Sequence, residues 1–220
     1  MRVRPGFDFT RSPVSYNEVR IYNRALSEAE LMASAAAGPD ADLSAGTLVK
    51  TGLGTLTLCG TNTLACPLRV ETGVVRTAID GALSTNSVVE LCAGTLLDLG
   101  GRSVVAGGLT GGGAAVSNGT LSVTRTICPT GEIVLDGVDV RGTLEVTSGS
   151  GTLRRVNGVL DLSGIDLDVK STSPAGQTVI ECTAGFTGDF ATVAMPANRR
   201  LARSATTVRV VRPGLIIFVK

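Results

Sequence analysis

Seven residues between positions 136 and 168 carry side chains from which a reaction could be assembled: Asp136, Asp139, Arg154, Arg155, Asp161, Asp166 and Asp168. Paired carboxylates across a glycosidic bond are the apparatus of glycoside hydrolysis. Aspartates that gather calcium beside a Lys or Arg base are that of polysaccharide elimination. Asp166 and Asp168 are two residues apart, so on a strand they share one face. The simpler reading is that all these charges point into water and pair weakly with neighbours. That reading is preferred, and no catalytic residue, metal ligand or cofactor site is assigned. The chain has no His, which removes the Ser-His-Asp and Cys-His arrangements and any zinc site built on imidazole. Lysine occurs only at Lys50, Lys170 and Lys220, which leaves little for a Ser-Lys pair.

Other sites fare no better. The run "GGLTGGGAAVSNG" at 107–119 lacks the Gly-Lys-Ser/Thr ending of a phosphate loop, and no helical pattern follows it. It reads as a corner. "NGT" at Asn118 is a glycosylation acceptor only in a eukaryotic secretory setting. Cys59, Cys66, Cys92, Cys128 and Cys182 are odd in number and show no C-x-x-C spacing. A Cys59–Cys66 bridge is open to an oxidising compartment, but small apolar residues within strands are the reading preferred for all five.

What elements hold these residues? Formal charge is +1 over 220 residues, which gives no electrostatic reason to favour nucleic acid or an anionic membrane. No apolar run is long enough to span a bilayer, and no secretory leader follows the basic N-terminus. Nothing aromatic lies between Asn23 and Gly185, so flat platforms for sugars or bases are missing from the long middle. That middle repeats itself. Gly-Thr-Leu occurs at 46, 54, 94, 119, 142 and 151, where the composition alone gives about 0.4 copies. "GVV" at 73, "GGL" at 107 and "GVL" at 158 are variants. Each opens a short run of period two, such as "TLTL", "LLDL" or "TLEV". A repeated phrase, no helical pattern and no aromatic core argue for stacked coils over a sandwich. The expectation is an all-β chain: a right-handed parallel β-helix with aliphatic residues inward and polar residues outward. Coils of about 20–25 residues would give five or six turns.

The stretch "LSAGTLVKTGLGTLTLCGTNTLACPLRVETGVVRTAIDGAL" resembles the autotransporter-associated β-strand repeat of bacterial passenger domains. Gly46, Leu48, Lys50, Gly52, Gly54, Leu56, Leu58, Gly60 and Asn62 fill the first half of that phrase. Val70, Gly73 and Val75 fill the second, with Val75 where Leu is usual. Cys59 replaces a commoner Ser, and "LACPLR" replaces a Thr- and Gly-rich stretch. Near the C-terminus, Gly185, Phe186, Thr187, Gly188 and Phe190 are similar to the cap that closes such passengers, and Ile216 and Phe218 of "LIIFVK" are expected to be covered. At the other end, "YNEVRIYNRALSEAEL" (16–31) resembles the last strand and helix of a laminin-G-like, concanavalin-A-like jelly roll. Ser27 and Glu30 form a capping box there, and Gly38-Pro39 ends the helix.

Three segments follow: a jelly-roll remnant at 1–40, β-helix repeats at 41–172, and a β cap at 173–220. The resemblances imply a non-enzymatic stalk of a secreted or surface-exposed bacterial adhesin, starting inside a longer protein. Contacts with extracellular glycans or cell surfaces would belong to the upstream domain, with no nucleic-acid partner and a monomeric chain. The alternative is a module that binds or degrades polysaccharide along the helix groove.

Overall fold

The computed structural model describes residues 47–62 and 66–213. The chain divides into two compact units, Met1–Leu43 and Ser44–Lys220. The strand and helix expected at 16–31, and Ile216 and Phe218, lie outside the described residues.

The second unit is a β-solenoid of about six turns whose strands are mostly parallel, closed at its C-terminal end by an antiparallel β cap. Among the described residues the only helical element is a short 3-10 turn, Asp80–Ala82. Three faces wind around an aliphatic interior. On the first face, Leu48–Lys50, Leu68–Val70, Val88–Leu91, Gly108–Gly111 and the end of Ala114–Pro129 pair in succession. The second half of Asp139–Val146, then Ile165–Val169 and Thr192–Ala194, continue the stack. One aliphatic column runs through it: Leu48, Leu68, Val89, Leu109, Ile127, Leu144, Leu167 and Val193, buried throughout except at the two end rungs, Leu48 and Val193. At about 4.8 Å per rung, these eight positions span about 34 Å.

The second face stacks Thr55–Leu58, Val74–Thr77, the start of Leu96–Ala106, the start of Ala114–Pro129, Ile133–Asp136, Leu153–Val156 and Gln177–Cys182. The third face is shorter, with Val104, Leu121 and Val140 in one inward column. Leu160–Asp161 and Phe186–Thr187 pair farther along. Long strands such as Ala114–Pro129 bend through corners and serve all three faces.

Glycines make one set of corners. Gly52, Gly73, Gly94 and Gly113 adopt φ of +79°, +79°, +78° and +68° where four successive coils pass from the first face to the second. A Cβ on Gly73 would sit 2.5 Å from the Gly52 carbonyl oxygen, so both the angle and the space demand glycine. In three Gly-Thr-Leu copies, those at Gly119, Gly142 and Gly151, the leucine drops into the interior: Leu121, Leu144 and Leu153 are buried. At Gly94 the phase slips by one. There Thr95 is buried, its hydroxyl donating to the Cys92 carbonyl at 2.7 Å, and Leu97 takes the inward position in place of Leu96.

Two polar residues of the phrase tie coils together. Lys50 Nζ donates to the carbonyls of Thr51 (3.0 Å), Gly52 (2.6 Å) and, one coil on, Thr72 (3.0 Å). An ammonium has three protons, and backbone oxygens take all of them. Asn62 Nδ2 donates to the Ala82 carbonyl of the following coil at 2.6 Å. Buried hydroxyls do the same elsewhere: Thr77 donates to Leu99 O at 3.0 Å, and Ser173 to Val146 O at 2.6 Å.

Parallel stacking continues to Thr192–Ala194. The cap closes the second face. Gln177–Cys182 is parallel to Leu153–Arg155 on one edge and antiparallel to Thr207–Val211 on the other. Arg200–Arg203 completes the hairpin. A parallel stack would otherwise end in open donors and acceptors, which the hairpin occupies along this edge. Arg203 fastens it, with its guanidinium over the Phe186 ring at 5.6 Å and Nη1 donating to Gly188 O at 3.0 Å and Asp189 Oδ1 at 2.8 Å. All five cysteines are free. Cys66 and Cys182 are buried, Cys92 and Cys128 half-buried, and Cys59 exposed, so the small-apolar reading holds fully for two.

Candidate functional site

The alternation of each strand decides where the seven candidate charges go. On Asp139–Val146, Val140 points inward, which turns Asp139 and Arg141 outward together. One coil later Leu160 and Leu162 are buried, so Asp161 and Ser163 face out beside them. Asp139, Arg141, Asp161, Ser163 and Gly164 thus line one shallow cavity of about 110 Å³ on the third face. Pockets that enclose drug-sized ligands run to about 300–1,000 Å³, so this one can admit substituents of an extended ligand and not the whole of one.

Asp161 is held in place locally. Its Oδ1 accepts from the Ser163 N–H at 3.0 Å and its Oδ2 from the Ser163 hydroxyl at 2.8 Å. These bonds favour the ionised form, the backbone N–H first, and lower its pKa below the ordinary carboxylate value. An acid that must hold a proton near neutral pH needs the opposite shift.

The other aspartates lie elsewhere. Asp166 and Asp168 do share an outer face, but it is the first face, beyond the corner at Ser163-Gly164. Asp166 accepts a hydrogen bond from the Thr192 hydroxyl. Asp168 holds Lys170 at 2.6 Å, and Glu145 of the preceding coil stands 3.7 Å from the same ammonium. That bond to Asp168 is the main reason the Lys170 pKa is raised. Asp136 closes the second face, accepting from Asn157 Nδ2 at 2.7 Å. The group Asp161, Asp166 and Asp168 is therefore divided between two faces, and the residue that joins Asp161 is Asp139.

The two arginines part company. Leu153 sets the phase of Leu153–Val156, so Arg154 is outward and Arg155 inward. Arg154 approaches Glu132 at 3.6 Å. Arg155 occupies the inward column of the second face, in line with Leu135 before it and Cys182 after it. Its Nη1 leaves the interior at the corner, donating to the Val138 carbonyl and to Asp139 Oδ1, the latter at 3.3 Å. Its Nε is buried with no acceptor among the described residues. Arg141 and Ser163 were absent from the candidate set, yet each follows a candidate aspartate by two residues. Period two alone places them on the same outer surface.

No protein-family model matches this sequence, and no curated protein is similar enough to it to serve as a relative.

Proposed function

We propose that this chain is a non-enzymatic β-helical stalk, a stiff segment that displays neighbouring parts of a secreted or surface-exposed bacterial protein of the autotransporter-associated repeat type. The observation that carries the reading is the aliphatic column of the first face, from Leu48 to Val193, buried at every rung from Leu68 to Leu167. Each rung adds backbone hydrogen bonds and aliphatic contact along one axis, which is what resistance to bending and stretching requires. The roles of Lys50 and Asn62 support the repeat assignment, since both phrase residues tie one coil to the next. In this reading any contact with glycans or cell surfaces belongs to other parts of the protein, and export places the stalk outside the cell.

The cavity of Asp139, Arg141, Asp161 and Ser163 favours a second reading, a module that binds or degrades polysaccharide. One experiment separates the two. Pulled between its termini in a force microscope, the chain is expected to yield in steps of one coil, about 20 residues or roughly 7 nm of contour. The same preparation should leave neutral and acidic polysaccharides intact. Smooth extension at low force would end the stalk reading, and turnover abolished by Asp139→Asn or Asp161→Asn would establish the other.

A further inference from the structure

The outward columns of the three faces differ in kind. On the first face the outward column runs Val49, Arg69, Glu90, Thr110, Cys128, Glu145, Asp168 and Ala194, aliphatic only at its two ends. On the third they are Ser103, Thr120 and Asp139, with Val105, Ser122 and Arg141 beside them. The second face presents Thr55, Val74, Leu96, Ala115, Val134, Arg154 and Glu181 in one column, of which the first six are set against a partner below. Four consecutive coils thus turn an aliphatic side chain away from the core. A parallel column beside it reads Thr57, Arg76, Asp98, Ser117, Asp136 and Val156.

We propose that the second face is a self-association surface, on which two copies of this chain pack with their solenoid axes antiparallel. A two-fold axis along the strand direction, placed between the coils of Leu96 and Ala115, lays each column over itself in reverse. Leu96 then meets the partner's Ala115, long against short, and Val74 meets the partner's Val134. In the second column Arg76 meets the partner's Asp136, and Asp98 meets the partner's Ser117. Both Arg76 and Asp136 are exposed. Arg76 Nε lies 3.2 Å from Asp98 Oδ2, and 53% of the Arg76 side chain is exposed, which leaves a guanidinium with further donors to offer a partner. At the ends, Arg154 meets the partner's Thr55 and Thr57 meets the partner's Val156. No rung opposes like charges. The other two-fold arrangement, with axes parallel, would set Val74 against Arg76 and Leu96 against Asp98, burying charge on aliphatic carbon. Charge and size therefore select a second copy, in one orientation, as the occupant.

Six rungs at about 4.8 Å and strands of four residues give a patch of about 24 Å by 13 Å. That footprint, about 300 Å² on each copy, falls below the standard range of specific interfaces, so the dimer is weak and dependent on concentration. The proposal differs from the expectation of a monomer.

Sedimentation of the full chain from about 5 to 500 µM tests it, because micromolar association shifts the monomer–dimer balance across that range. The expected result is conversion from the 22.4 kDa monomer toward a species of twice that mass. Leu96→Glu should hold the chain monomeric throughout. Arg76→Asp and Asp136→Arg should each weaken association at least tenfold, and the double variant should recover most of it. Both of these charges are solvent-facing, so the pair remains informative if Leu96→Glu folds poorly. A monomer at every concentration overturns the proposal. So does a dimer indifferent to Leu96→Glu, or a double variant no better than either single one.

Discussion

The inward columns of the first and second faces are products of the same alternation, yet they end differently. The first is aliphatic at all eight positions, from Leu48 to Val193. The second begins alike, with Leu56, Val75, Leu97, Val116 and Leu135, and then places Arg155 and Cys182 in line. Arg155 uses its methylene stem as the aliphatic filler and sends its charged head out through the corner at Val138. Cys182, the next rung, is smaller than the residues before it, which leaves room for a long neighbour. The interior thus tolerates a polar group where the stem can pack and the head can leave. What it does not remove is the cost of a charge held out of water with one nitrogen lacking an acceptor.

Breaking the intact column should have the larger effect. Ile127 is fully buried midway along the first face, between Leu109 and Leu144. Ile127→Ala removes apolar contact on both sides and leaves a cavity that stacked backbone cannot close, so it should cost about 3 kcal/mol. Urea unfolding at constant m measures it. A loss under about 1 kcal/mol would mean that the coils relax around the gap and the column is not the stiff element supposed. Arg155→Met keeps the length of the stem and discards the charge. Replacing a buried charge by an apolar residue of similar volume is often neutral or stabilising, so the expectation is a gain of about 1 kcal/mol. A loss of 3 kcal/mol or more would show Arg155 to be a necessary bolt between the coil at Val138 and its own.

The contrast between the columns was only partly legible in the sequence. The solenoid was legible, because Gly-Thr-Leu recurs and each copy opens a run of period two; Gly73 and Gly94 stand at corners as that repetition requires. The phase of each run was less so. "GTLRRV" reads Leu153 inward and therefore Arg155 inward as well, but two adjacent arginines look equally solvated until register is known. "GTLLDL" conceals a slip of one residue, since Thr95 is buried through a hydroxyl bond to its own chain and Leu96 faces out. The division of Asp161 from Asp166 and Asp168 depends on the Ser163-Gly164 corner, which spacing alone does not locate. Pairings between coils also escaped, because coil lengths vary: successive first-face rungs, such as Ile127 to Leu144 and Leu167 to Val193, are not evenly spaced. The outward aliphatic column of the second face shares this origin. It appears only when Val74, Leu96, Ala115 and Val134 are aligned by register.

The smallest effect is expected at the carboxylate that meets Arg155. Asp139 lies 3.3 Å from Arg155 Nη1, but the two are unequally placed, with 59% of the Asp139 side chain exposed against 7% for Arg155. Water screens the carboxylate, and the same Nη1 also donates to the Val138 carbonyl. Asp139→Asn keeps the size and an acceptor oxygen while removing the charge. If the carbonyl is what receives the guanidinium at the corner, the substitution should cost less than about 1 kcal/mol. It should then be nearly silent in the Arg155→Met background. A loss of about 3 kcal/mol, vanishing in that background, would assign the exit of Arg155 to the ion pair instead. The second face would then differ from the first by a pair of charges that stabilise the fold, and not by a single charge that the fold accommodates.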